Sequence, residues 1–138
     1  MYTKIFTTLP QEAKNIRIEV FMKEQGFENE FDDIDTISHH IVVFDEGKPI
    51  GTCRFFKENN HYTIGRVAVL KEYRNQHIGN LLLESAENEI KKLNGDLIVV
   101  HAQVRVSPFY EKQGYIQFGQ IDDDEEVPHM WMKKKIQY

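Results

Sequence analysis

Cysteine is almost missing from this chain: Cys53 stands alone among 138 residues. A lone cysteine rules out an internal disulfide and fits a reducing compartment. No apolar run approaches the roughly 20 residues that a membrane-spanning helix needs. Met1 to Thr8 lacks the basic start and apolar stretch of a secretory signal. These readings together predict a cytoplasmic protein. Positive charge is also in short supply, with 17 Lys and Arg against 22 Asp and Glu and a net charge of −5. Such a balance argues against a broad phosphate-backbone surface, so no nucleic-acid partner is expected. It leaves room for a local basic pocket, and mildly favours a cationic substrate. There is no CxxC, no HExxH and no acidic calcium loop, and no metal site is expected. His39 and His40 are adjacent on a strand, so their side chains point to opposite faces. Cys53, flanked by strand residues, reads as a buried thiol.

What is present reads as one domain over residues 1–138, without repeat, linker or composition break. Met1 to Thr7 alternates as a short strand. Leu9, Ala13, Ile16, Val20 and Phe21 then fall at helical spacing, with Gly26 as the stop. Glu28 to Thr36 is acidic and irregular, and is expected to be mobile. His39–Phe44, Ile50–Phe56 and His61–Leu70 form a three-stranded antiparallel meander around Gly- and Asn-containing turns. Ile78, Leu81, Leu82, Ala86, Ile90 and Leu93 mark a long amphipathic helix, ended by Asn94-Gly95. Leu97–Ala102 is a continuous apolar strand, and a helix between two strands suggests parallel packing. Ser107-Pro108 opens a short helix, Ser as N-cap and Pro at the first position, closed by Gly114. Tyr115–Gln120 and Val127–Lys134 make a final strand pair around an acidic turn. The fold class is α/β: a mixed, mostly antiparallel sheet with helices on both faces.

The chemistry concentrates in Gly65–Leu83, GRVAVLKEYRNQHIGNLLL, where a strand feeds a polar loop and the loop feeds a strong helix. The first turn of a helix carries unpartnered amide hydrogens and partial positive charge, so a loop wrapped there suits a pyrophosphate. Arg74 and Gln76 can add donors, and Gly79 allows close backbone approach. The other reading of these residues is an ordinary connection with a solvated basic loop.

Tyr73-Arg74-Asn75-Gln76-His77-Ile78-Gly79-Asn80 resembles the coenzyme A pyrophosphate loop of the GNAT superfamily of N-acetyltransferases, Q/R-x-x-G-x-G/A. Arg74 takes its first place and Gly79 its last. His77 stands where the middle glycine belongs, although a residue with a Cβ resists positive φ. Phe109-Tyr110-Glu111-Lys112-Gln113-Gly114-Tyr115 is similar to the family segment F-Y-x-x-x-G-F. Arg17-Ile18-Glu19-Val20-Phe21-Met22-Lys23-Glu24-Gln25, His101-Ala102-Gln103 and Val127-Pro128-His129-Met130 resemble the branch that includes the ElaA- and YjcF-like proteins.

The resemblance implies a GNAT-like sheet splayed between its fourth and fifth strands, with acetyl-CoA inserted there. Implied contacts to the coenzyme are Val67, Ala68 and Val69 on the strand, Arg74, Asn75, Gln76, His77, Ile78, Gly79 and Asn80 on the loop, and Gln103 and Tyr110. An amine acceptor would attack the thioester directly, and Tyr110 would protonate the departing thiolate, since a phenol can hand on a proton. Glu24, His101 and His129 are the candidate bases. Arg66 stands where some relatives carry a carboxylate. A homodimer is expected from family habit. The acidic run Asp122–Glu126 is either a solvated turn or an attractor of cationic acceptors. A non-catalytic acyl-CoA-binding or sensing domain is the alternative function, and a protein-interaction module without cofactor a third.

Overall fold

The computed structural model describes residues 1–138. Its strands are β1 (Tyr2–Phe6), β2 (His39–Asp45), β3 (Lys48–Glu58), β4 (His61–Val69), β5 (Leu97–Gln103), β6 (Ile116–Asp124) and β7 (Val127–Lys135). Its α-helices are α1 (Gln11–Arg17), α2 (Ile78–Lys92) and α3 (Ser107–Lys112). All seven strands join one sheet in the order β1-β2-β3-β4-β5-β7-β6. Every pairing is antiparallel except β4 with β5, which the α2 crossover makes parallel.

The sheet is covered on both faces because β2 is apolar on both. Ile41 and Val43 point one way, into a core with Ile78, Leu82, Ala86 and Ile90 of α2 and with Tyr110 of α3. Val42 and Phe44 point the other way, against Ala13 and Ile16 of α1. The period of two along the strand and of three to four along the helices produces this sandwich.

The feature that makes the site is a split. β4 and β5 pair only at Tyr62–Ile64 with Ile98–Val100, and diverge beyond that point. On the other side of β4, the register with β3 slips between Thr52 and Arg54, so that Arg66 and Val67 lie opposite Cys53 alone. Arg66 adopts φ 51° in this bulge. A bulge bends and twists its strand, and here it carries β4 away from β5.

Three local expectations need correction. The first helix does not run uniformly to Gly26: it is α-helical to Arg17, then a π-helix over Ile18–Glu24, wider than the sequence period reveals. Ser107 does not cap α3. It is the helix's first residue, buried, with no side-chain cap bond, and Val106 is the N-cap.

The third correction is larger. Glu28–Thr36, expected to be mobile, is pinned by ion pairs at its acidic side chains. Arg17, 1% exposed, donates to Glu30 at 2.7 Å and to Asp35 at 2.8 Å. Arg54 donates to Asp32 at 2.6 Å and Asp35 at 2.9 Å. Arg66 reaches Glu30 at 3.0 Å. The His40 ring nitrogen Nε2 donates to the Asp35 carbonyl at 3.0 Å. Three guanidinium groups thus meet three carboxylates, so no charge is buried without a partner. Burial pushes the Asp35 carboxyl up, but hydrogen bonds and charge from Arg17 and Arg54 outweigh it and hold it at about 2.

Candidate functional site

Two cavities open along the split and share a junction. The larger, about 560 Å³, runs from the N-terminus of α2 to α3. Among its lining residues are Val67, Ala68 and Val69, whose strand edge has lost its β5 partner, and Arg74, Asn75, His77, Ile78, Gly79, Asn80 and Tyr110. The smaller, about 140 Å³, lies on the far side, between Phe21, Phe27, His101, Gln103 and His129. Gln25, Val67, Arg105, Val106 and Tyr110 line both. The structure therefore brings together ten of the residues singled out by sequence in one cavity. Gln76, Gln103 and Glu24 stand outside it. Gln76 donates to the Glu72 carbonyl at 3.4 Å, and Gln103 donates to the Gln25 side chain at 2.8 Å.

The loop before α2 is wound by two left-handed residues, Asn75 at φ 64° and His77 at φ 62°. Asn visits this region readily, but histidine does so against the steric preference of its Cβ. His77 thus takes the backbone shape of the missing glycine without being one. The 15-residue helix that follows has no side-chain cap at its start and no acidic residue in its first turn. Its leading amides remain without protein acceptors, and an anion is their natural partner. A Cβ on Gly79 would meet the Phe109 ring at 3.1 Å. The glycine therefore lets α2 and α3 close on each other at the cavity wall.

Arg74 is already engaged. Its terminal nitrogens donate to the two Glu24 oxygens at 2.5 and 2.7 Å, and its Nε to the Val69 carbonyl at 3.1 Å. The hydrogen bond from Arg74 holds the Glu24 carboxyl below its ordinary range. A carboxylate so held is a weak proton acceptor at neutral pH, which turns the geometry against Glu24 as the base.

Tyr110 is 7% exposed and faces both cavities. Phe109 and Tyr115 meet its ring edge-on, with centroids 5.1 and 5.8 Å away. Burial pushes its phenol well above the ordinary range, so it is protonated at neutral pH and acts as a donor. Cys53, fully buried in the same core, is likewise pushed up to about 12, and is no nucleophile.

The wall of the smaller cavity carries a histidine pair with ring centroids 4.7 Å apart. His101 stacks on Trp131 at 4.3 Å and donates through Nε2 to Asp122 at 2.8 Å. His129 is buried, and its Nδ1 donates to the Val127 carbonyl at 2.8 Å. Because a carbonyl can only accept, this bond puts a proton on Nδ1, so that in the neutral ring Nε2 is the acceptor. Glu125 lines the rim of this cavity, and its carboxylate accepts the backbone N–H groups of Glu28 and Asn29 at 3.0 and 3.3 Å. Sequence reading missed Gln25, Arg105 and the Glu125 clasp. Gln25 ends the Arg17–Gln25 segment and Glu125 belongs to the acidic run, but their roles come from partners remote in sequence, Gln103 for the one and the Glu28 and Asn29 amides for the other.

A model of the acetyltransferase (GNAT) domain family matches residues 7–136. The uncharacterized N-acetyltransferase YjcF of Bacillus subtilis is 32% identical over 127 residues, which are 90% of this chain and 91% of YjcF. The crystal structure of Escherichia coli ElaA superposes with a TM-score of 0.87 at 21% identity, over 97% of this chain and 99% of that one. An aminoglycoside 6′-N-acetyltransferase complexed with coenzyme A shares the fold, with a TM-score of 0.79 at 15% identity, over 98% of this chain and 97% of its own. With the split sheet, the uncapped α2 and the family match over nearly its whole length, this chain belongs to the GNAT acetyltransferase family.

Proposed function

We propose that the protein is an N-acetyltransferase that moves an acetyl group from acetyl-CoA to an amine by direct attack. The observation that carries this reading is the pair of cavities meeting at Tyr110, one leading to the uncapped helix and the other to His129.

The larger cavity fits an acyl-CoA. The α2 amides at Ile78, Gly79 and Asn80, with Asn75 and His77 shaping the loop, would hold the pyrophosphate. Arg74 would join them by leaving Glu24, and Gln76 by swinging inward. The free edge of Val67, Ala68 and Val69 would receive the amide-bearing arm, as a strand edge receives another strand. Gln103 would act at the junction through Gln25. The coenzyme supplies an activated acetyl group, whose bond to sulfur breaks as the bond to nitrogen forms.

The chain's own residues manage the protons. His129 Nε2 accepts the proton that the attacking amine loses, its ring fixed by Val127. Tyr110 keeps its proton at neutral pH and presents it to the sulfur at the junction. Phe21 and Phe27 supply an apolar part of the smaller cavity's wall. A cytoplasmic location belongs to the same proposal, resting on the single, buried thiol.

Thermal unfolding during an acetyl-CoA titration tests the reading first. Ligand at 100 times its dissociation constant stabilises a fold by about 2.7 kcal/mol, several degrees for a domain of this size. A saturable shift supports the reading, and turnover with amines, followed as free thiol, extends it to catalysis. Binding without turnover across diverse amines would favour the non-catalytic alternative. No shift with acetyl-CoA, coenzyme A or longer acyl-CoAs would end the proposal.

A further inference from the structure

The acceptor's chemistry is written in how the charges around the smaller cavity are spent. The chain has five arginines, and four of them are paired with carboxylates: Arg17 and Arg66 with Glu30, Arg54 with Asp32, Arg74 with Glu24. Arg105 is the exception. Its Nε donates to the Gln103 side-chain oxygen at 3.0 Å, and Gln103 is itself held by Gln25 at 2.8 Å. That chain of two amides orients the guanidinium and leaves its two terminal nitrogens without a protein acceptor. Arg105 stands at the junction of both cavities.

The carboxylates nearby are in the opposite condition. Glu30 is bonded to Arg17 and Arg66. Glu125 is occupied by two backbone amides, and Asp122, just beyond the cavity, by His101. Among the acids that line the cavity only Asp124 has no partner. Within the acidic run, Asp122 and Glu125 are thus engaged, while Asp123, Asp124 and Glu126 have no side-chain partner.

Resting on the acetyltransferase reading, we infer that the acceptor is a small amine that also carries a carboxylate, an amino acid or a molecule of that class. Arg105 takes the carboxylate in a two-pronged bond, for which guanidinium geometry is suited. The amine then lies toward Tyr110 and His129. An anionic group of the coenzyme is the competing partner, since Arg105 also lines the larger cavity, and coenzyme A affinity in an Arg105 variant separates the two. The cavity, about 140 Å³, has room for a compact acceptor beside Tyr110 and His129.

The test pairs each amino acid with its amide and its decarboxylated amine: alanine with alaninamide and ethylamine, histidine with histidinamide and histamine, lysine with lysinamide and cadaverine. Acetyl-CoA turnover is followed as free thiol at fixed pH, in the wild type and in Arg105→Gln and Arg105→Lys. The inference expects kcat/KM at least about tenfold higher for the free acid than for the amide in one or more sets, as one lost charge-assisted bond implies. It expects Arg105→Gln to bring that ratio close to one, and Arg105→Lys to keep part of it. Preference for the decarboxylated amines overturns the inference. So does an equal loss for all acceptors in Arg105→Gln, which would make Arg105 a donor to the reacting oxygen. Weakened coenzyme A binding in that variant, read by calorimetry, would place the guanidinium on the coenzyme instead. Coenzyme A binding without turnover of any member rejects the substrate class, whereas failure of the wild type to bind coenzyme A rejects the acetyltransferase reading itself.

Discussion

His77 shows how a residue out of pattern can preserve a loop's shape. It holds φ 62° at the start of α2 with no side-chain hydrogen bond as a cap. The left-handed conformation costs a residue with a Cβ about 1–2 kcal/mol, and glycine would recover this less about 0.5–1 kcal/mol of extra unfolded-state entropy. His77→Gly is expected to stabilise the fold slightly in urea unfolding and to leave the loop able to bind an acyl-CoA. A loss of stability would mean that the imidazole makes a contact of its own. Tyr110→Phe removes the proposed proton donor while keeping the ring against Phe109 and Tyr115. Its turnover is expected to fall about a hundredfold, with coenzyme A affinity unchanged in calorimetry. Glu24→Gln is the contrasting case. Freeing Arg74 from its exposed partner should tighten coenzyme A binding by about two- to fivefold and leave turnover near that of the wild type. Turnover lost in this variant would restore Glu24 as the base.

Among the elements, the segment between the π-helix and β2 has most of its energy in a few contacts. Asp35 bonds both Arg17 and Arg54, each almost fully buried. Asp35→Ala leaves two guanidinium groups short of an acceptor, and the loss in unfolding free energy is expected to be about 3–5 kcal/mol. Because Glu30 and Phe27 line the smaller cavity, the same change should raise KM for the acceptor more than for acetyl-CoA. The segment thus forms a fixed wall of the smaller cavity, the proposed acceptor side, rather than a mobile lid. The turn after α2 is held by close packing: a Cβ on Gly95 would meet Ile90 at 2.5 Å and Tyr62 at 2.8 Å. That contact keeps α2 tight against β4 where β4 and β5 still pair, so the sheet opens only beyond it.

At the scale of the whole molecule, the ionic cluster gives stability a pH dependence. Asp35 sits at about 2 against an ordinary 3.8. A carboxylate with a lowered folded-state pKa contributes its stabilisation above the ordinary value and loses it as the pH falls through the folded one. About 2 kcal/mol is therefore expected to disappear between pH 4 and pH 2, visible as a falling midpoint in urea titrations. Asp35→Asn, though less stable throughout, should show a shallower slope over that window. An unchanged slope would place the acid sensitivity elsewhere.

The sequence alone determined the elements and their order, because the periods of two and of three to four residues are local properties set by backbone geometry. It also marked the loop before α2 and the tyrosine on α3, since each is a short contiguous motif. The parallel β4–β5 pairing could be read from the strand–helix–strand order, by the length a crossover needs. Tertiary structure decided what no window of sequence contains. The acidic stretch Glu28–Thr36 reads as mobile because its partners, Arg17, Arg54 and Arg66, lie on three other elements, and only folding brings opposite charges within hydrogen-bond reach. Arg74 reads as a free donor until Glu24, fifty residues earlier in the chain, is folded against it. Arg105 and the Nδ1 proton of His129 gain meaning the same way, from which neighbours each side chain has and which it lacks. Motifs survive translation into sequence because they are local; the charge balance of a cavity does not, because it is a sum over residues that meet only in space.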